Sequence, residues 1–426
     1  MRSMANAPQT AHRLLRERDV RWFLGGRVVS EIGSRISREG LPVTAILTLG
    51  TGALGLTAMA ALGQLPGLLL AAHAGAVADR VRRRPLLIAL DVARFVLLLS
   101  VPVLSFAHRL SLGELLAVSL LVAGLTVAYQ IADQAYLPTL VGRRRLDAGN
   151  RLVYAAGAVG ETVGPTAMGV LVQALGAPLA ILFDALSYLA SALTLWAIRC
   201  PEPRPERSPE DDAPRAAQGL RIVLHHPLLR PLAVVVAVTN LCGGAFAALY
   251  ELYVLRTLQL GPLALGLLVT LGGIGSLLSA SIARAVVRRL GIGRTLTFSL
   301  FAAGLTGLAI PLAPSGFAPA FAALATAQLL GDLTGTLYEI EETVLRQTVT
   351  PDGWLGRVNG GMQFFGGLFG LAGTVLFGLL AVAGGIRLTF WIAALGDLAV
   401  GAWFLLSAIG RLREPLATDP RPFGAA

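Results

Sequence analysis

The sequence contains no lysine, only two cysteines and few charged residues for its length. Charged residues make up 14% of its 426 residues, against roughly 25% in an average soluble domain. That deficit excludes a water-soluble globular protein, whose surface needs many more polar groups. All 35 basic residues are arginine, and we attribute the missing lysine to genomic base composition.

Several function classes are excluded by what is missing. Cys200 and Cys242 are too few and too differently placed for a disulfide framework or a metal site. The glycines of Gly272-Gly-Ile-Gly275 lie inside an apolar stretch with no lysine after them, so they do not form a phosphate-binding loop. With no paired nucleophile and base and no ATP-binding motif, the sequence disfavours an enzyme and predicts no cofactor.

Hydrophobic residues make up 55% of the chain, and they are grouped in apolar stretches close to the roughly 20 residues that a bilayer-spanning helix requires. The pattern predicts an all-α polytopic membrane protein with twelve transmembrane helices, which we call spans 1 to 12. The predicted spans are residues 22–48, 55–78, 85–107, 112–136, 152–175, 178–198, 231–256, 262–286, 295–313, 318–343, 361–384 and 388–410.

The net charge of +10 is concentrated in every second gap between the spans. Arginine clusters lie at 80–84, 143–145 and 288–289, whereas the alternate gaps contain little more than His108-Arg109 and Arg387. This bias indicates cytoplasmic termini in a bacterial inner membrane and argues against a nucleic-acid partner. The polar N-terminal segment has no features of a cleaved signal peptide.

The chain contains an internal repeat. Tyr129-Gln-Ile-Ala-Asp133 recurs as Tyr338-Glu-Ile-Glu-Glu342 at an offset of 209 residues, and the same offset superposes Gly164 on Gly373 without a gap. An even number of spans per repeat predicts two parallel, pseudo-symmetric halves of six helices. We place the N-terminal half at 1–198 and the C-terminal half at 230–426.

Between the halves, residues 199–229 form a predicted cytoplasmic linker, because the Pro-, Arg- and acid-rich 199–214 segment cannot bury enough apolar surface to fold. Residues 215–224 have two interpretations. They form either a short amphipathic helix on the inner leaflet or a simple tether.

The gap after span 2 resembles the signature loop of the major facilitator superfamily. The matching positions are Gly75, Asp79, Arg80, Arg83 and Arg84. Arg82 stands where the family has its second glycine, which departs from the tight turn that glycine permits. The resemblance implies a latch between the two halves, and it implies the superfamily fold over nearly the whole chain.

Span 5 resembles the Gly-Pro element of the superfamily's exporters, through Gly160, Gly164, Pro165 and Gly169. Small residues allow close approach of a neighbouring helix, and the proline permits a bend. Three further segments are similar to the bacterial efflux branch that includes macrolide and siderophore exporters: residues 27–34, residues 135–138 with Asn150, and residues 350–352 followed by 356–359.

Ionisable residues inside spans are functional candidates, since each costs about 2.5 to 3.5 kcal/mol to insert. Arg27, Glu31 and Arg35 share one face of span 1. The resemblance implies that spans 1, 4, 7 and 10 line a central cavity, to which we assign Asn240, Glu251 and Asp332 as further polar candidates and Tyr129, Tyr250 and Tyr338 as aromatic ones. Glu31 is either a proton-coupling carboxylate or part of a static ion pair.

The other charged residues of the spans are weaker functional candidates. Asp133, Glu339, Glu341 and Glu342 are expected at helix ends, in gating contacts or in solvent. Asp91 and Arg94 are expected to form a structural pair. Glu161 ranks low unless it pairs with Arg94 or the linker side.

The sequence therefore predicts a monomeric secondary transporter that exports small amphipathic molecules, drug-like or siderophore-like, by proton antiport and alternating access. An uptake carrier of the same fold is the first alternative. A membrane-embedded sensor or scaffold without transport is an alternative of another class.

Overall fold

The computed structural model describes residues 13–70, 82–202, 215–407 and 409. Twelve long helices correspond to the twelve predicted spans, so the all-α polytopic fold is confirmed. In chain order they are Arg18–Thr48, Ala53–Leu70, Arg83–Phe106, Leu112–Val141, Leu146–Leu175, Ala177–Ala197, Leu229–Leu252, Pro262–Leu290, Ile292–Gly307, Phe317–Val349, Leu355–Gly384 and Ile386–Leu406.

Eight of the described helices are both long enough and apolar enough to cross a membrane by those criteria alone. Spans 1, 2, 9 and 10 fall outside that set. The described helices of spans 2 and 9 are short, and spans 1 and 10 contain polar and ionisable residues in their middle portions. Spans 1 and 10 are the ones for which burial of polar groups, and not hydropathy alone, must account for insertion.

Several helices extend past the apolar windows that predicted them. The helix of span 4 continues to Val141, and those of spans 5 and 11 begin six residues before their predicted starts of 152 and 361, at Leu146 and Leu355. Hydropathy locates the hydrocarbon-facing part of a helix, whereas backbone hydrogen bonding continues through its polar ends. Span 9 is shorter than predicted, because its helix ends at Gly307 and turns follow before Pro311.

The helices group into two compact units. The first contains spans 1 and 3–6, and the second contains spans 2 and 7–12. Span 2 packs against spans 7 and 11, with Gln64 Nε2 donating to Thr374 Oγ1 over 2.9 Å. The contact grouping thus differs from the chain order at residues 52–70, which the sequence places in the N-terminal half.

The linker contains a helix, Arg215–His225, so the interpretation of a simple tether is wrong for these residues. Ile222 and Val223 are buried in an apolar cluster with Leu345 and Val358. The apolar face of this linker helix therefore packs on protein in the second unit, and its position on the inner leaflet remains a prediction. Gly219 is essential to the packing, because a Cβ there would overlap the Arg357 carbonyl.

Candidate functional site

The charged face of span 1 is held against span 5 by glycines. A Cβ on Gly160 would lie 2.8 Å from Glu31 Cβ, and one on Gly164 would overlap Arg35 Cβ. Pro165 and Gly169 are buried in the same helix. The small residues of the Gly-Pro element thus allow the close approach that they predict. The helix that packs on them is span 1, which contains Glu31 and Arg35.

Arg27 is shared by two carboxylates. Its Nη2 lies 3.1 Å from Glu31 Oε1, one helical turn away, and its Nη1 pairs with Asp133 Oδ2 of span 4. The Glu31 side chain is 31% exposed, whereas that of Asp133 is 7% exposed. The expectation that Asp133 is solvated is wrong, because its side chain is buried and paired with Arg27, and span 4 continues for eight residues beyond it.

Arg35 pairs with Glu161 of span 5. Neither interpretation of Glu161 from the sequence included this partner, since the sequence does not show that span 5 packs on span 1. Glu161 therefore belongs to the same charged cluster as Glu31. We call Arg27, Glu31, Asp133, Arg35 and Glu161 the span 1 cluster.

A second ionic group lies deeper in the first unit. Arg94 pairs with Asp91 one turn away, as expected, and both are almost completely buried. The Arg94 guanidinium lies between two aromatic rings, 4.2 Å from the Tyr129 centroid and 4.1 Å from that of Tyr188. Two such faces stabilise a desolvated cation. The sequence predicts that Tyr129 lines the cavity, and in the structure its ring packs on the Arg94 guanidinium of the same unit.

Asp184 of span 6 was missed by the sequence reasoning. It is completely buried and accepts a hydrogen bond of 3.0 Å from Ser187 Oγ. Gly33 of span 1 makes room for it, because a Cβ at that position would lie 2.6 Å from Asp184 Oδ1. A lone acid in an otherwise apolar span is itself a functional signal, so the residue could have been found.

The second unit repeats the packing without the charges. At the 209-residue offset, Gly244 replaces Arg35 and Gly370 replaces Glu161. A Cβ on Gly244 would overlap the backbone at Gly373, the counterpart of Gly164. Asn240, the counterpart of Glu31, donates to Val236 O over 2.8 Å and faces Gly366 and Gly370. Span 7 thus approaches span 11 through backbone and small residues.

The acids of span 10 are distributed along the helix. Asp332 lies against Gly272 of span 8, where a Cβ would overlap its carboxylate. The glycines of span 8 are thus helix-packing positions. Glu341 and Glu342 are buried, contrary to the expectation of solvation, and Glu342 pairs with Arg346 at 3.2 Å. Glu339 is on an exposed position.

The remaining candidates of the second unit are largely buried. Tyr250 stacks on Phe246 with ring centroids 5.6 Å apart. Tyr338 packs edge-on against Phe404 at 6.5 Å in the apolar cluster that contains the linker helix. Glu251 is half-buried near the end of span 7. The cavity roles of these residues remain predictions.

The protein is similar to known transporters over most of its length. The Major Facilitator Superfamily model matches residues 29–337. The chain belongs to the Major Facilitator Superfamily. A multidrug efflux pump, Tap of Mycolicibacterium fortuitum, is 29% identical over 386 residues, covering 88% of this chain and 92% of the pump.

Solved structures of superfamily transporters share the fold. A bacterial homologue of the iron transporter ferroportin, in an inward-facing state, matches with a TM-score of 0.66 and 18% identity, covering 90% of this chain and 97% of the other. The nucleoside transporter NupG matches with a TM-score of 0.74 and 11% identity, covering 92% and 98%. The protein is therefore a multi-pass membrane transporter for small molecules and not an enzyme.

The superfamily signature loop is partly visible. Gly75, Asp79 and Arg80 lie outside the described residues. The backbone N–H groups of Arg83 and Arg84 donate to the two Glu202 carboxylate oxygens, over 2.6 and 3.1 Å, so the linker's first acid caps the start of span 3. The Arg84 side chain donates to the Leu195 carbonyl over 2.8 Å.

Cys200 lies beside this cap, just after span 6. Partial burial raises the pKa of its thiol, and Asp19 nearby raises it further. A thiol with a raised pKa is mostly protonated at neutral pH and is a weak metal ligand or nucleophile. Among the described residues, no group of three or more His, Cys, Asp or Glu side chains is placed to hold a metal ion.

Proposed function

We propose that this protein exports small amphipathic molecules, drug-like or siderophore-like, across the bacterial cell membrane in exchange for protons. Superfamily membership supports a secondary transporter. The relative that is a multidrug efflux pump and the span 5 Gly-Pro element support export. Alternating access, with both termini cytoplasmic, is part of the same proposal.

The observation that carries the coupling is the sharing of Arg27 between Glu31 and Asp133. One guanidinium compensates one carboxylate, so the second carboxylate is costly when it is ionised away from water. The pair is therefore suited to binding one proton, and the two carboxylates act as a coupled unit. Glu31 is the more accessible member, and it is the one that we assign to proton exchange.

A cationic or polar substrate near Glu31 would favour the ionised carboxylate and so release the proton. In the opposite step, proton binding neutralises Glu31 and weakens its attraction for a cation. Each solute would then leave as a proton enters, which couples export to the proton gradient.

The test is efflux of a fluorescent cationic dye from a pump-deficient bacterial host that expresses the full chain. We expect dye efflux that a protonophore abolishes and that Glu31→Gln or Asp133→Asn reduces at least tenfold at equal expression. The matched control is Asp147→Asn, which removes a carboxylate from a side chain that is 78% exposed and should leave efflux unchanged.

Two results would contradict the proposal. Protonophore-resistant efflux that survives in both variants would show that the span 1 cluster has a structural role. Expression that increases dye accumulation, reversed by the same variants, would instead support the uptake carrier of the same fold.

A further inference from the structure

The middle portions of spans 1 and 3–6 contain more acids than arginines. Four arginines, Arg27, Arg35, Arg38 and Arg94, lie there with six carboxylic acids, Glu31, Glu39, Asp91, Asp133, Glu161 and Asp184. If all were ionised, the middle portions of these spans would contain two uncompensated negative charges, and uncompensated charge is expensive at membrane depth. If each arginine neutralises one carboxylate, two of the six acids have no arginine partner.

The span 1 cluster accounts for one of them. Arg27 and Arg35 face the three carboxylates Glu31, Asp133 and Glu161. Arg38 and Glu39 contribute one charge of each sign to the count. One excess acid thus belongs to the site already proposed for coupling, and the other belongs to the group around Arg94.

Within that second group, Asp91 is the ionised partner. Arg94 donates to Asp91 Oδ1, and the guanidinium is fixed between the rings of Tyr129 and Tyr188. Tyr188 is held in turn by Ser34 of span 1, with the two hydroxyl oxygens 2.9 Å apart. The arginine is therefore committed to Asp91.

Asp184 has no such compensation. Ser187 donates to its Oδ1, whereas its Oδ2 has no hydrogen-bond partner among the described residues. The side chain is 0% exposed. As an anion it would be a buried charge whose neighbouring donors in the described part of the chain are only the hydroxyl groups of Ser187 and of Ser37 in span 1, and as a neutral acid it costs only the burial of a polar group.

We propose that Asp184 is a second proton-binding site, which holds one proton on its carboxyl group in the interior of the first unit. The inference goes beyond the proposed function, and rests on it only for the idea that this proton is exchanged during transport. Ser34 and Tyr188 connect the site to span 1, one helical turn from Glu31.

The charged groups on neighbouring helices support the assignment. Span 6 packs against spans 1, 3 and 5, whose central charged residues are Arg27, Glu31, Arg35, Arg38, Glu39, Asp91, Arg94 and Glu161. Of these, Asp91 and Arg94 act on Asp184 and are already paired with each other. Arg27, Glu31, Arg35 and Glu161 form their ion pairs within the span 1 cluster.

Infrared spectroscopy of the purified full-length protein in lipid nanodiscs tests the site without substrate. A protonated carboxyl group has a C=O stretching band that shifts in D2O, whereas a carboxylate does not have this band. We expect Asp184→Asn to remove part of that band at neutral pH while the protein stays folded, because asparagine is similar to the neutral acid. Asp147→Asn, at an exposed position, is the control and should leave the band unchanged.

A second variant keeps the test decisive if Asp184→Asn does not fold. Ser187→Ala removes the hydrogen bond to Oδ1, so the band of a protonated Asp184 should shift to higher frequency. A band that is unchanged in both variants, or in Ser187→Ala alone when the other cannot be purified, would overturn the proposal. Because proton occupancy is measured without transport, a failure of dye export in cells is a separate result.

Discussion

At the scale of single residues, the Arg94 group shows what a sequence can and cannot indicate. Asp91 and Arg94 are one helical turn apart, so their pairing follows from the sequence. The two tyrosines that enclose the guanidinium come from spans 4 and 6. No local pattern predicts that these three helices meet at one point, because the contact depends on how the spans pack.

Replacing Arg94 by methionine should destabilise the protein strongly. The change keeps much of the side-chain volume but leaves Asp91 buried and unpaired, and breaking a buried ion pair in this way costs about 3–5 kcal/mol. The measurement is thermal unfolding of the purified protein in detergent. Unfolding is detected as loss of the monodisperse peak on size-exclusion chromatography.

The control for this prediction is Arg151→Met. Arg151 pairs with Asp147 at 3.0 Å, with side chains 58% and 78% exposed, and exposed pairs contribute about 0–1 kcal/mol. Equal unfolding temperatures for the two variants would show that the Arg94 pair contributes little to stability.

At the scale of helices, the position of span 1 depends on glycines in its neighbours. The sequence predicts that Gly160 and Gly164 allow close approach, and the structure confirms the approach. The identity of the approaching helix, and therefore the Arg35–Glu161 ion pair, could not be predicted. The spacing of small residues identifies one surface of a helix contact. The helix that packs on this surface depends on the three-dimensional arrangement of the spans.

Alanine at Gly164 should separate spans 1 and 5 and reduce transport. Its Cβ would overlap Arg35 Cβ, so the helices must shift and the ion pair with Glu161 must lengthen. We expect dye efflux to fall severalfold together with a lower unfolding temperature. Gly157→Ala is the matched control in the same helix, since a Cβ there has no atom within 4 Å. Similar behaviour of the two variants would mean that close approach at Gly164 is not required.

At the scale of the whole molecule, the repeat preserves helix packing but not chemistry. The offset of 209 residues relates the glycine contacts of span 5 to those of span 11. It also aligns Arg27 with Val236 and Asp133 with Glu342, and Glu342 pairs with Arg346 on its own helix. The repeat could be recognised from the sequence because it is gap-free. The equivalent positions of the two halves have different ion-pair partners, and these partners are known only from the structure.

The distribution of arginine makes a final prediction about orientation. If the clusters in alternate gaps face the cytoplasm, alkaline phosphatase fused after Arg109 should be active, and the same enzyme fused after Arg144 should be inactive. Green fluorescent protein should give the opposite result at the two sites, because it fluoresces when it folds in the cytoplasm. Arg109 follows span 3 and Arg144 follows span 4, so the two fusions differ by one membrane crossing. Reversed activities would place the arginine clusters outside and would contradict cytoplasmic termini.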